Sequence, residues 1–148
     1  MEHTAPSTPP KSRLPLILLG CGCAAILAFA AFVALLVGGV LYATQAPFDA
    51  AHAHVQRVQQ GDVSGAYGGL TAALQAELGE DGFATFSEAW PVLYGKDAEW
   101  TVSNRSVNGD RATMIGTSER DGQRAEVTIH LGYEDGAWRV SGVNIEPK

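Results

Sequence analysis

The distribution of hydrophobic residues along the chain changes twice, and each change marks a different kind of structure. Between Leu14 and Ala43 the sequence contains no charged residue, and no polar stripe recurs at helical spacing. A helix that crosses a lipid bilayer requires about 20 apolar residues, whereas a helix in the core of a small soluble domain keeps one polar face. This pattern predicts a membrane-spanning helix over residues 14–43.

The residues on either side of the apolar segment predict its orientation. Lys11 and Arg13 precede it, and no basic residue follows until Arg57. Because basic residues are retained on the cytoplasmic side of the cell membrane, we expect residues 1–13 to be cytoplasmic and residues 44–148 to lie outside the cytoplasm. The first part is rich in Pro, Ser and Thr, which predicts a disordered tail.

Two other interpretations of the apolar segment compete with an uncut anchor. A cleaved signal peptide has an apolar stretch of only about 7–15 residues, and this stretch is longer. Leu18 to Cys21 resembles the lipobox of bacterial lipoproteins, which makes Cys21 a candidate lipidation site. Apolar residues continue after Cys21, however, whereas a lipobox normally ends the apolar stretch. We therefore favour a single-pass signal anchor, with the lipid-attached form as the alternative.

After the apolar segment, hydrophobic residues recur at three- and four-residue intervals, as in amphipathic helices. Residues 44–48 are a predicted connector, in which Pro47 interrupts the helix. Asp49 is then the predicted N-cap of a helix whose apolar face carries Val55 and Val58.

Further helical segments are predicted between residues 62 and 91. Asp62 is a candidate N-cap for a short helix, and Thr71 is a candidate start of the next one. Gly79 and the pair Asp81-Gly82 are expected to break the chain, and Pro91 to end the last helix. The apolar side chains of these segments recur at helical spacing: Leu70, Leu74, Leu78, Phe83, Phe86 and Trp90.

From residue 98 onward the hydrophobic period becomes two, which is typical of strands with one buried face. Three pairs that end in glycine are predicted hairpin turns: Asn108-Gly109, Asp121-Gly122 and Asp135-Gly136. The predicted strands span residues 98–107, 111–119, 123–133 and 137–145.

The last strand contains a change of parity. Val143 and Ile145 fall on the opposite parity from Trp138 and Val140. A β-bulge at Gly142 would direct all four side chains to the core, because one extra residue resets the alternation. The alternative is that the end of the strand is covered on both faces. Together the elements predict an α+β fold, in which helices pack on one face of a curved four-stranded antiparallel meander.

Three segments carry a resemblance to a known superfamily: GDVSGAY, FATFSEAWPVL and EDGAWRVSGVNI. Over residues 48–146 the chain resembles small extracytoplasmic bacterial members of the nuclear transport factor 2-like (cystatin-like α+β) superfamily. The resemblance implies a cone-shaped domain that is anchored to the membrane by a span or a lipid. Because the superfamily contains enzymes and non-enzymes, it implies no activity, and no catalytic motif of its enzymes is matched here.

Composition excludes some functions. The formal net charge is −6, so the chain lacks the basic surface that holds a phosphate backbone, and we expect no nucleic-acid partner. Both cysteines, Cys21 and Cys23, lie in the apolar segment. The domain after it therefore contains no disulfide.

The titratable residues suggest neither a metal nor another cofactor. His52 and His54 are two residues apart, and on a helix such side chains point in different directions. They are expected to be surface residues. Glu80 and Asp81 are expected to be solvated turn residues, and His130 lies on the polar parity of its strand, where it should face away from the helices.

The remaining candidate site residues form two groups. Five side chains are candidates for the lining of a pocket between helices and sheet: Tyr67, Trp90, Trp100, Met114 and Trp138. The outer face of the sheet is a candidate interface for an envelope protein or for a second copy, and it carries Thr113, Ile115, Thr117, Thr128, His130 and Arg139.

The leading hypothesis is a non-catalytic binding or interaction module at the cell envelope. One alternative is a small hydrolase or isomerase that uses the interior of the cone. Another alternative is an assembly or structural factor of a larger membrane complex.

Overall fold

The computed structural model describes the backbone of residues 14–148 and the side chains of residues 26–39 and 44–148. The predicted tail, residues 1–13, and the side chain of Cys21 lie outside the described part, so the disorder of the tail and the lipidation of Cys21 stay predictions. The chain forms two compact units, residues 1–40 and residues 41–148.

Helix α1 runs from Leu14 to Gln59. From Ile26 onward this helix is long and apolar enough to cross a membrane, judged by its length and composition. Large apolar side chains are exposed along it, among them Leu35 at 75% and Ile26 at 70%. Soluble proteins rarely expose a contiguous apolar surface of this kind.

The predicted connector at residues 44–48 is wrong, because α1 continues through Pro47. A proline inside a helix removes one backbone hydrogen bond, but Pro47 is fully buried, and burial of its apolar ring offsets that loss. Asp49 is therefore not an N-cap. Its carboxylate instead accepts a hydrogen bond from Nε2 of Gln45, one turn earlier, at 2.7 Å.

Three shorter helices follow: α2 spans Val63–Gly68, α3 spans Ala72–Ala89 and α4 spans Pro91–Tyr94. The carboxylate of Asp62 accepts a hydrogen bond from the backbone N–H of Gly65 at 3.0 Å. The hydroxyl of Thr71 accepts one from the backbone N–H of Leu74 at 3.4 Å. The predicted N-cap at Asp62 is thus confirmed, and Thr71, the predicted restart of the helix, is an N-cap as well.

Helix α3 is interrupted at Gly79, where the backbone leaves helical geometry (φ 66°, ψ 167°). The predicted break at Gly79 is confirmed, but the break at Asp81-Gly82 is wrong, because these residues lie in the second half of α3. The helix restarts directly after Gly79. Glu80 and Asp81 lie at the N-terminal end of this second half of α3, where acidic side chains interact favourably with the helix dipole.

The four strands are β1 Glu99–Asn108, β2 Arg111–Arg120, β3 Gln123–Glu134 and β4 Ala137–Pro147. They form one antiparallel sheet in the order β1-β2-β3-β4. The predicted meander is confirmed, with strand ends that differ by one or two residues.

The hairpin turns differ in type. At Asp121-Gly122 and at Asp135-Gly136 both residues have positive φ, as a type I′ turn requires. In the first hairpin Asn108 still belongs to β1, so the turn is Gly109-Asp110 and lies one residue later than predicted. There Gly109 alone has positive φ, which is the pattern of a type II′ turn.

Strand β4 contains a bulge, one residue before its predicted position at Gly142. His130 pairs with Gly142, and Leu131 pairs with Val140, so that Ser141 is the extra residue. Four side chains of β4 therefore belong to the core or pack against it: Trp138, Val140, Val143 and Ile145.

A second bulge, which the hydrophobic pattern does not predict, occurs at Ser103 in β1. It brings the backbone of Thr101 and Val102 against Gly116 of β2, where a Cβ atom would overlap the carbonyl oxygen of Thr101. Glycine is therefore required at position 116.

One core lies between the helices and the sheet in the unit of residues 41–148. It includes Val55 of α1, Ala66 of α2, Phe83 of α3, Leu93 of α4 and Ile129 of β3. Hydrogen bonds reinforce the packing: Oγ of the fully buried Ser118 of β2 donates to the carbonyl oxygen of Val92 of α4 at 2.6 Å. The predicted α+β fold is confirmed.

Candidate ligand-binding site

An apolar cleft lies between α3 and β4. Its volume is about 120 Å³, which suits a small ring or a short alkyl group rather than a drug-sized molecule. Six side chains line it, and all are apolar: Leu70, Leu74, Leu78, Phe83, Phe86 and Val143.

The interruption of α3 shapes this cleft. Leu74 and Leu78 come before Gly79, and Phe83 and Phe86 come after it. The backbone angles of Gly79 lie in a region that is essentially restricted to glycine. Each half of α3 thus supplies one pair of apolar side chains, and Gly79 sets the angle between the two pairs.

A buried polar pair adjoins the two phenyl rings of the cleft. Nε2 of His54 lies 3.1 Å from Oη of Tyr94, and each of these residues is only 4% exposed. The ring centroid of Phe83 is 5.6 Å from that of His54, and the ring centroid of Phe86 is 6.2 Å from that of Tyr94. The two phenyl rings therefore contact both the cleft and the polar pair.

The expectation that His54 is a surface residue is wrong. His54 follows Ala51 by three residues and precedes Val58 by four, so all three side chains lie on one face of α1. Ala51 and Val58 are both buried. This spacing is the signal by which the sequence could have placed His54 in the core.

Burial controls the protonation of the pair. Removal from water lowers the pKa of His54 from its ordinary value of 6.5 to about 4. The carbonyl of Ala66 opposes this shift, and the charge of Arg57 adds to it. Burial also raises the pKa of Tyr94, so both groups are uncharged near neutral pH.

The second ring nitrogen of His54 is poorly satisfied. Among the described residues, Nδ1 has no partner in hydrogen-bond geometry. The carbonyl of Ala66 favours the charged form of His54, but no hydrogen bond joins it to Nδ1. A buried polar atom without a full partner is rare in native proteins.

The other titratable candidates lie apart from this pair. His52 is half-buried and stacks between Phe48 and Trp100. His130 is exposed on the outer face of the sheet, as predicted, and its Nδ1 lies 3.3 Å from Oγ1 of Thr113. Glu80 and Asp81 are exposed but helical rather than turn residues. No three His, Cys, Asp or Glu side chains of the described part lie together as a metal site.

The five candidates for the lining of a pocket lie in different places. Met114 is fully buried in the core, and Tyr67 donates from Oη to the carbonyl oxygen of Gln75 at 2.9 Å. Trp90 lines a cleft next to the second hairpin. Trp100 lines a groove between α1 and β1, and Trp138 packs against Tyr133.

From the sequence, the six residues around the apolar cleft are predicted to lie on the apolar faces of helices and of a strand, and not in a site. The signal available in the sequence is the interruption at Gly79, which separates two apolar stripes. A ligand role for Tyr67, Trp90, Trp100, Met114 or Trp138 stays a prediction.

The outer face of the sheet holds most of the predicted interface residues. Ile115 pairs with Thr128, and Thr113 pairs with His130. All four alternate along β2 and β3 with buried side chains. Arg139 is half-buried, and its Nη1 donates to the carbonyl oxygen of Gly68 at 2.8 Å, so it is engaged within the domain.

A larger cleft of about 710 Å³ lies where α3 begins and the first and third hairpins turn. Its charged side chains include Glu77, Asp110 and Arg111, and all three are exposed to solvent. Two further polar side chains that line it are less exposed, but both are engaged within the domain: Thr71 caps α3, and the carboxylate of Glu134 accepts a hydrogen bond from a backbone N–H in the first turn of α3 at 3.1 Å. The smaller apolar cleft is therefore the better candidate.

Comparison with known proteins agrees with the fold. No protein-family model and no curated protein sequence matches the chain. The solved structure of an NTF-2-like protein of unknown function from Silicibacter pomeroyi is similar, with a TM-score of 0.55 and 17% sequence identity. The match covers 74% of this chain and 98% of that chain. The fold is thus nuclear transport factor 2-like, and a likeness at this identity says nothing of activity.

Proposed function

We propose that the chain is a membrane-anchored, extracytoplasmic binding module whose apolar cleft holds a small apolar ligand. The observation that carries this proposal is the cleft between α3 and β4, which has six apolar side chains and a volume of about 120 Å³. The cleft is concave and apolar, as small-molecule sites are, but its volume lies below the roughly 300–1,000 Å³ of drug-sized pockets, so it suits only a small ligand.

The anchor is supported by the exposure of α1. Large apolar side chains of residues 26–39 are at least 40% exposed, and they would be stable in lipid rather than in water. In residues 44–148 only Tyr133 is a large apolar side chain with comparable exposure. The basic residues Lys11 and Arg13 support a cytoplasmic N-terminus.

The protonation of the polar pair favours binding over acid–base catalysis. A general acid or base works best when its pKa is near the operating pH. Burial moves the pKa of His54 down to about 4 and the pKa of Tyr94 up. Both shifts lead away from neutrality, so the pair is suited to holding a hydrogen bond rather than to exchanging a proton.

The cleft is tested with the full chain in lipid nanodiscs, with Leu and Val methyl groups labelled for NMR and with toluene as the probe. Toluene is expected to shift the methyl signals of Leu74, Leu78 and Val143. In a Val143→Phe variant the larger ring fills the cleft and abolishes these shifts. Val107→Phe is the matched control, because Val107 is also half-buried but lies on β1, outside the cleft.

If toluene shifted the methyl signals as much in Val143→Phe as in the unchanged chain, this cleft would be ruled out as the binding site of toluene. The orientation is tested separately, with a C-terminal reporter that is active only outside the cytoplasm. An inactive reporter in intact cells would refute the proposed topology.

A second candidate function is contact with an envelope protein or with a second copy through the outer face of the sheet. The observation that favours it is that Ile115 and Thr128, a cross-strand pair, are half-buried on the face opposite the core. A photo-crosslinker at Thr128 tests it in cells, with one at Gln56, exposed on α1, as control. Equal yields from both positions would count against a specific interface.

A further inference from the structure

Strand β4 forms one edge of the sheet, and part of that edge is already paired within the chain. The backbone N–H of Val140 donates to the carbonyl oxygen of Gly69 at 3.0 Å, and the carbonyl oxygen of Val140 accepts from the N–H of Thr71 at 2.9 Å. The backbone groups of Val140 therefore point away from β3. This short parallel pairing shows that an extended segment fits against the edge of β4.

Beyond the bulge, the edge of β4 is open. Successive residues of an antiparallel strand turn their backbone groups to opposite sides. The N–H of Lys148 donates to the carbonyl oxygen of Arg124 of β3 at 2.9 Å, so every second residue back from Lys148 faces β3. Val143 and Ile145 then face outward, as does Pro147, which has no N–H to give to the ladder.

The outward backbone groups of Val143 and Ile145 are unpaired. Within residues 44–148, their N–H and C=O groups have no hydrogen-bond partner on this side of β4. Backbone groups without a partner are rarely buried away from water. We therefore take this part of the edge, which we call the open edge, to be accessible to a further strand.

The open edge adjoins the apolar cleft, because Val143 belongs to both. Residues that lie directly opposite one another on paired strands have side chains on the same face of the sheet. A segment paired with the open edge would therefore place one side chain beside that of Val143, at the cleft of about 120 Å³. Main-chain hydrogen bonds to a sheet edge, combined with a pocket for a side chain, are a recurring mode of peptide recognition.

Helix α3, which forms the other wall of the cleft, carries only negative charge. Its charged side chains are all acidic and exposed: Glu77, Glu80, Asp81 and Glu88. At the end of β4, the ammonium group of Lys148 is 2.8 Å from the carboxylate of Glu126 and is thereby paired. A partner with basic residues would complement the charge of this region.

We infer that the cleft receives an apolar side chain of an extended peptide segment of another protein, which pairs with the open edge at Val143 and Ile145 and carries basic residues beside that side chain. The open edge supplies hydrogen bonds to the main chain of the segment, and the cleft selects the side chain. This inference rests on the proposed ligand function of the cleft and adds the class of the partner.

The probe is a five-residue peptide, Lys-Thr-Leu-Thr-Lys, with acetylated and amidated ends. It is titrated into the full chain in nanodiscs of zwitterionic lipid, which does not attract the lysines. We expect NMR shifts of the methyl signals of Leu74 and Val143 and of the amide signals of Val143 and Ile145. The amide signals of β1, at the opposite edge of the sheet, should stay in place and serve as the internal control.

Three matched peptides separate the contributions. Alanine in place of leucine should weaken binding about tenfold, because the side chain no longer fills the cleft. N-methylation of the leucine and of the following threonine removes a main-chain donor in either strand direction and should weaken binding about fivefold. Glutamate in place of both lysines should weaken it about two- to fivefold. Only the peptides change, so no result depends on the folding of a protein variant.

The outcomes are distinct. If toluene shifts the methyl signals of the cleft but the leucine peptide does not bind, the inference is wrong and the proposed ligand function stands. If neither toluene nor any peptide binds, both fail.

The parts of the inference can also fail one at a time. Equal affinity after N-methylation, or amide signals of Val143 and Ile145 that stay in place, would exclude pairing with the open edge. Equal affinity of the alanine peptide would exclude the cleft as the site of the side chain. Equal affinity of the glutamate peptide would overturn the preference for basic residues.

Discussion

Helix α1 contains two apolar segments that differ in what surrounds them. Residues 26–39 expose large side chains, with Leu35 75% exposed, whereas Ala51 and Val55 are 0% and 2% exposed. The first segment is apolar on all sides, and the second only on the face that packs into the core. The comparison teaches that hydrophobicity alone does not identify a core helix, because the distribution of polar residues around the axis decides which surroundings the helix requires.

The largest expected effect comes from placing a charge in each segment. Val55→Asp buries an unpaired carboxylate and should cost about 4 kcal/mol or more, which is enough to unfold a small domain. Val33→Asp, in the exposed segment, should weaken membrane insertion while the domain stays folded. Hydrogen exchange of the strand amides measures the first effect, and extraction from membranes by alkaline carbonate measures the second. If the strand amides were equally protected from hydrogen exchange in Val55→Asp and Val33→Asp, the two segments would not differ in their surroundings as described.

The pH dependence of stability sharpens the description of the buried segment. The pKa of His54 is lower in the folded state, at about 4, than its ordinary value of 6.5. Above pH 6.5 the imidazole of His54 is neutral in both the folded and the unfolded state, so its contribution to the free energy of unfolding is constant. As the pH falls from about 6.5 to about 4, only the unfolded state takes up a proton at His54. The free energy of unfolding should therefore decrease by about 3 kcal/mol across this interval.

Denaturant titration of the full chain in nanodiscs at several pH values measures that decrease. His54→Phe should remove most of it, whereas the control variant His130→Phe, at an exposed position, should retain it. A decrease that survives in His54→Phe would assign the effect to other groups.

Substitution of Gly79 tests whether the backbone geometry of this residue maintains the shape of the cleft. Gly79→Ala should destabilise the fold by about 1–3 kcal/mol, since a Cβ atom is strained at these angles. Gly82→Ala is the matched control, because Gly82 is helical and an added Cβ would meet only an ordinary contact with Leu78 at 3.8 Å. For Gly82→Ala we expect no loss of stability, or a gain of up to about 1 kcal/mol in the free energy of unfolding. Thermal unfolding compares Gly79→Ala with Gly82→Ala. Equal melting temperatures would show that a Cβ atom at position 79 causes no strain.

The smallest expected effect distinguishes a true N-cap from an internal acidic residue. Asp62→Ala removes the acceptor of the N–H of Gly65 and should cost about 1 kcal/mol. Asp49→Ala, inside α1, should change the free energy of unfolding by less than about 0.5 kcal/mol. Should the two losses measured by chemical denaturation be equal, α1 would have to begin near Asp49 after all.

The strands were predictable because their determinants are local. Alternation with period two places each side chain on one face, and the Asp-Gly turns align neighbouring strands without help from distant residues. Even the bulge in β4 was visible as the change of parity between Val140 and Val143. The bulge at Ser103 was not visible, because it depends on the close approach of β1 to Gly116 of the next strand.

The helices were harder to predict because their ends depend on packing. Pro47 and Asp49 carry the local marks of a connector and an N-cap, yet α1 continues through both. The candidate site was mostly hidden for the same reason. Its six apolar residues look like ordinary helix and strand faces in the sequence, and only the folded chain brings Leu74 and Phe83 together around one cleft.

The sequence by itself determined the anchor-like apolar segment, the α+β order of elements, the four strands with their turns, and the caps at Asp62 and Thr71, because each depends on residues close together in the chain. Only the tertiary structure decided that His54 is buried against Tyr94, forty residues away along the chain, and that the two rings of α3 stand between this pair and an apolar cleft. Those contacts join residues from distant elements, and the free energy that selects them comes from burial of the whole core rather than from any local preference.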